Sequence, residues 1–131
     1  MQVRPTPSAA MLVTTAPIGK RKVRASEQAA VERAIAQLPK ADRALLAKHG
    51  LKVQLVPKAS LEDGMLGATR IVRATDGTWT PTTIRVASRL ADRRGMNSIG
   101  EVAQHEIGHA LAVIRKQDRS EAAAEAYAAK H

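Results

Sequence analysis

The sequence predicts an α+β fold, and three observations carry that prediction. Helix-period stretches stand at both ends of the domain, between about 26 and 48 and between about 98 and 129. Strand-period stretches lie between them, over about 51–56, 68–75 and 82–88. The two periods, 3.6 and 2, do not mix along the chain, which separates helices from sheet rather than alternating them.

At 131 residues the chain suits one domain. Residues 1–24 carry Pro5, Pro7 and Pro17, five Lys/Arg and no acid, and they read as a flexible basic arm; the domain proper spans 25–131. The first helix starts near Ser26, a good N-cap, with Ala30, Val31, Ala34, Ile35 and Leu38 on one face, and Pro39 closes it. A second helix, about 40–48, ends at Gly50, suited to a left-handed cap. Leu51, Val53 and Leu55 then alternate with Lys52, Gln54 and Val56 as in a half-buried strand. Gly64 and Gly67 mark a loop, and Asp76-Gly77 turns the next two strands, with Trp79-Thr80-Pro81 expected to lengthen the connection. After Gly95, Ser98 and Glu101 form a capping box for a further helix. The last helix, about 119–129, is expected to begin near Asp118.

Composition narrows function. Hydrophobic residues reach 44% but aromatics only 2%, so Ala, Leu, Val and Ile must build the core. With no cysteine, disulfides are excluded, and any metal must be held by His, Asp or Glu. No apolar run approaches the ~20 residues that span a bilayer, and the N-terminus lacks the layout of a signal peptide. A monomer without membrane contact, in the cytoplasm, is therefore expected. The net charge of +9 sits mostly outside the C-terminal third: residues 101–131 carry four basic and five acidic side chains, giving −1.

That C-terminal third holds the chemistry, in the stretch QHEIGHAL at 104–111. On a helix advancing ~100° per residue, His105 and His109 stand ~40° apart, one turn from each other, so both imidazoles can meet one ion. They edge an apolar stripe of Ile99, Val102, Ala103, Ile107, Ala110 and Ile114. Glu106 points to one side of the pair, where it can take a proton from a water rather than ligate. H-E-x-x-H on a helix is a metallopeptidase signature, with zinc the expected ion. Gly108 leaves room on the other flank for a neighbouring segment or a substrate. A third ligand is needed, and the stretch RSEAAAEAYAAKH at 119–131 offers Glu121 and Glu125, one turn apart on an alanine-rich helix able to pack closely. His49 reads as the surface residue of a helix end and His131 as a terminal residue.

HEIGHAL followed by SEAAAEAYA resembles the gluzincin branch of the zincin metallopeptidases, most closely the catalytic domain of anthrax lethal factor and stand-alone minimal gluzincins. The resemblance covers about 45–131. It implies a zincin-like fold, in which a small twisted sheet of about three or more strands packs on the HExxH helix and a following helix carries a glutamate ligand. It implies zinc held by His105, His109 and Glu125, since Ala124-Glu125-Ala126-Tyr127 matches the family's glutamate segment, with Glu106 as general base. The implied activity is a zinc-dependent endopeptidase acting on a peptide or protein substrate. The tyrosine that lethal-factor-like enzymes place about two turns before the glutamate has no counterpart in RKQD at 115–118, and Tyr127 reads as a core aromatic. Two alternatives follow: a gluzincin-like module that binds zinc with little or no turnover, or a nucleic-acid-binding protein using GKRKVR at 19–24.

Overall fold

The structure, a computed structural model, describes residues 13–15, 25–56, 61, 66–87, 98–117 and 120–131. Among the described residues it is a small α+β fold with four helices and an open mixed sheet. In chain order the elements are β1 (Val13–Thr15), α1 (Ala25–Ala36), α2 (Lys40–Lys48), β2 (Val53–Val56), β3 (Gly67–Arg73), β4 (Trp79–Ala87), α3 (Ile99–Ile114) and α4 (Glu121–Lys130). The sheet order is β1-β2-β4-β3, with β1, β2 and β4 parallel and β3 antiparallel at one edge.

The helix ends follow local chemistry. Gly50 takes φ +66°, and Leu51 N donates to Leu46 O at 2.9 Å, closing α2 as its glycine suggested. Ser98 Oγ accepts from Glu101 N at 3.2 Å, which starts α3 where the capping box placed it. Two other starts differ by a residue or two. Helix α1 begins at Ala25, so Ser26 lies inside its first turn. Helix α4 is capped by Ser120, whose Oγ accepts from Ala123 N at 3.1 Å, and Asp118 lies outside the described residues. Glu121 is thereby the first residue of the helix, and that sets its direction.

Two strands also depart from expectation. Val13–Thr15 pair in parallel with Val53–Leu55, although they fall in the stretch read as a flexible arm; valine and two threonines favour a pleated backbone. The remainder of 1–24, and Gly64 and Gly95, lie outside the described residues. Trp79-Thr80-Pro81 belong to β4 rather than to the connection, because the turn is completed earlier. Gly77 takes φ +88°, and Asp76 Oδ1 accepts from Thr78 N at 2.9 Å and Thr78 Oγ1 at 2.6 Å. Those hydrogen bonds hold the Asp76 carboxyl below its ordinary range. Pro81 is tolerated beside a register shift where Arg70 faces Thr83 and Ile71 faces Pro81, leaving Thr82 as the extra residue of a bulge.

Helix α3 is the centre of the core. It lies on β4 and β3 and against α1 and α4. Ile99, Ala103, Ile107, Ala110 and Leu111 meet Val31 and Ile35 of α1 and Ile84 and Val86 of β4 in one apolar cluster. Gln104, buried, donates to Ala34 O at 3.0 Å and so ties α3 to α1 with a satisfied polar group. On the sheet side, Gly67 opens β3 in close contact with α3. A Cβ there would stand 2.8 Å from Glu106 Cγ and 2.9 Å from Val102 Cγ1. Gly67→Ala should therefore destabilise the fold by about 1–3 kcal/mol, as overpacking does. Denaturant unfolding checks this, and an unchanged midpoint would contradict the close approach.

Candidate metal site

The rotation of α3 is fixed by burial on three sides, and it leaves His105 and His109 on the remaining edge. Their side chains are only 18% and 15% exposed. The rings meet edge to face, with centroids 4.9 Å apart, and their Nε2 atoms are 3.2 Å from each other. Glu121, delivered by the first turn of α4, sets one carboxylate oxygen 2.9 Å from His105 Nε2 and the other 2.9 Å from His109 Nε2. Three electron-pair donors thus face a common point.

Such a convergence is satisfied by positive charge at its centre, either a proton on an imidazole or a metal ion. Two neutral imidazoles can share at most one proton between facing Nε2 atoms, and a highly exposed carboxylate gains little from an ordinary surface ion pair. Zinc bonds of ~2.0–2.1 Å would set tetrahedral neighbours about 3.3–3.4 Å apart. The two Nε2 atoms, 3.2 Å apart, fall slightly inside that spacing, and one ligand atom from each of the three residues lies within 4.8 Å of the others, so an adjustment of the side chains fits the ion. The donor set, two imidazoles and a carboxylate, suits zinc. Partial burial pushes the Glu121 carboxyl up, but hydrogen bonds and charge from His105 and His109 outweigh it and hold the group below its ordinary range.

The structure brings Glu106 into the clefts beside His105 and His109, and the glutamate that converges with both imidazoles is Glu121, where the sequence reading placed Glu125. The physical reason is the cap. With Ser120 as N-cap, the first helical residue faces the imidazoles, and Glu125 lies one turn further along, exposed and lining the adjoining cleft beside His105 and Glu106. His49 is the exposed C-cap residue of α2, and the His131 ring rests against Tyr127 at a centroid distance of 4.6 Å. Neither belongs to the cluster among the described residues.

Glu106 is 8% exposed, pressed between α3 and the start of β3. Thr69 of β3 holds it: the hydroxyl lies 2.8 Å from Glu106 Oε1 and 2.9 Å from Glu106 O. One hydroxyl proton serves one acceptor at a time, and a charged carboxylate is the stronger partner. On the cleft side, Glu106 lines one wall with Ala68, Ile71 and Val113, and another with Leu66 and Gly67. Strand β3 therefore borders the cluster along its length.

Three residues that support the site and its helices escaped the sequence reading, Thr69, Asp42 and Arg115, and Gly67, read as part of a loop, opens β3. Thr69 carried a weak signal, as a polar residue in a strand pattern; Asp42 gave none, since an acid in a first helical turn ordinarily serves the helix dipole. Asp42 is buried, accepts from Tyr127 Oη at 2.6 Å and pairs with the Arg115 guanidinium. The Tyr127 ring covers Gly108, where a Cβ would stand 3.1 Å from Tyr127 Cβ. The room expected beside Gly108 is thus taken by α4. No protein-family model, curated protein or solved structure matches the chain.

Burial first, then the bond to Asp42 and its charge, raise the Tyr127 phenol far above its ordinary range, with Arg115 opposing. Because folding raises this pKa, its contribution to stability is complete below about pH 10, the unfolded-chain value, and is lost as pH climbs further. Tyr127 is the one tyrosine in the chain, so tyrosinate absorbance near 295 nm reads it alone. The absorbance should stay low through about pH 10–11 and rise only as the fold is lost; a reversible rise centred near pH 10 in folded protein would contradict the buried hydrogen bond.

Proposed function

We propose that the chain is a zinc-dependent peptidase in which His105, His109 and a carboxylate of α4 hold the metal and Glu106 is the general base. The observation that carries this reading is the convergence of both Nε2 atoms with the Glu121 carboxylate, next to the buried carboxylate of Glu106 on the helix that bears the histidines. A purely structural metal site requires only the ligands. Glu106 beside the cluster, fixed by Thr69 and open to the cleft, supports a reaction. The mixed sheet with an antiparallel edge strand along the HExxH helix is in keeping with the zincin-like architecture that the motif implies.

Zinc bound by this set supplies Lewis acidity, acidifying water and polarising a carbonyl. The remaining tasks fall to the chain. Glu106 receives a proton on its free carboxylate oxygen and returns it to the leaving amine nitrogen. Thr69 keeps the other oxygen from rotating away. Strand β3, at the sheet edge, offers backbone N–H and C=O groups to an extended peptide. The substrate class on this reading is therefore a peptide or protein, and zinc is the one cofactor.

One observation favours a second reading, a zinc-binding module with little turnover. The phenol of Tyr127 is committed to Asp42, so it does not serve the cluster as an oxyanion donor. Glu106→Gln separates the two. On the peptidase reading the variant keeps its zinc and loses cleavage of a mixed peptide library by at least about 10²-fold, as loss of a general base does. A wild-type protein that holds zinc and cleaves nothing, like its Glu106→Gln variant, would establish the second reading. His105→Ala should lose the metal under either.

Thr69→Val tests the support of the base. The variant should keep zinc and substrate affinity while turnover drops about tenfold, and Thr69→Ser should recover most of it. Turnover unaffected by Thr69→Val would mean that Glu106 needs no such restraint. Among the described residues, no helix is long and apolar enough to cross a membrane.

A further inference from the structure

Helix α4 packs along α3 mainly through small side chains. It has ten residues, of which only Ala124 is buried, and its alanines spread over all faces rather than forming an apolar stripe. A helix of that length is marginal on its own in water. Its one large apolar side chain is Tyr127, whose ring lies on Gly108 and whose hydroxyl reaches Asp42 on α2, 85 residues away in sequence. Asp42 is itself kept in place by Arg115, at the C-cap of α3. Glu121 stands at the opposite end of α4 from this anchor, and its carboxylate is 79% exposed.

We propose that the Asp42–Tyr127 hydrogen bond is a latch that presents Glu121 to the two imidazoles, which makes Asp42 and Tyr127 positioning residues for the metal site. The inference rests on the zinc reading above and adds to it a control of affinity from outside the ligand set. The coupling is thermodynamic. The two histidines are carried by the buried helix α3, whereas the third donor comes with a short helix that packs along α3 and is tied to α2 by the Tyr127–Asp42 bond. Metal affinity is then reduced by the fraction of molecules in which α4 is undocked. Any change that undocks α4 must weaken the metal, and by reciprocity the metal must stabilise the docked helix. Neither Asp42 nor Tyr127 has an atom in the donor cluster.

Tyr127→Phe removes the hydroxyl and keeps the ring on Gly108; Asp42→Asn changes the other partner. Zinc affinity of both, measured by competition with a chromophoric chelator, should fall about tenfold, the scale on which changes behind the ligands act on metal sites. Circular dichroism confirms that each remains folded at the working temperature. A folded Tyr127→Phe protein that binds zinc within twofold of wild type would overturn the latch. A measurement on wild type covers the case in which neither variant folds. Zinc should slow amide hydrogen exchange across Glu121–Lys130 more than across α1 or α2, and uniform protection, or none in α4, would equally overturn the proposal. Failure of the zinc reading itself looks different: wild type would then bind no zinc in the chelator assay.

Discussion

Everything near the candidate site depends on the burial of α3. Packed against β3 and β4, α1 and α4, the helix has no freedom to rotate about its axis. Ile99, Ala103, Ile107 and Ala110, all essentially inaccessible, fix which edge is left over, and His105 and His109 occupy that edge. The close edge-to-face placement of the two imidazoles is supported by apolar packing elsewhere on the same helix. Site geometry is thereby tied to the core rather than to a loop.

The electrostatics of the molecule divide in the same way. The chain carries a net charge of +9, yet Glu101, Glu106, Glu121 and Glu125 gather around the histidines. A local excess of carboxylates favours a cation there against the average field of a basic protein. It also gives the two carboxylates nearest the histidines distinct environments. Glu106 is buried and bound by Thr69, and Glu121 is exposed and faces two imidazoles. One is suited to handling a proton and the other to holding an ion.

Much of this was legible in the sequence, for reasons that individual residues make plain. The HExxH helix could be read because its apolar stripe, its capping serine and its histidine spacing all obey one period. The Asp76-Gly77 turn and the Gly50 cap could be read because each needs a backbone geometry that few residues tolerate. Pro81 misled, because a proline in a strand is rare and its place beside a bulge depends on a partner strand. Glu125 was favoured over Glu121 through a family pattern, whereas the structure turns on where α4 starts, a matter of one serine hydroxyl at Ser120. The Asp42–Tyr127 bond was out of reach, since 85 residues separate its ends and neither residue carries a local signal.

The central claim is that Glu121 completes a metal site with His105 and His109. Its most direct test is zinc content by mass spectrometry of wild type beside Glu121→Ala and Glu125→Ala. The account predicts about one zinc per chain in wild type and in Glu125→Ala, with most of it lost from Glu121→Ala, as for a site of three protein ligands. Zinc lost with Glu125 and kept with Glu121 would contradict the geometry described, and no zinc in any of the three would contradict the metal site altogether.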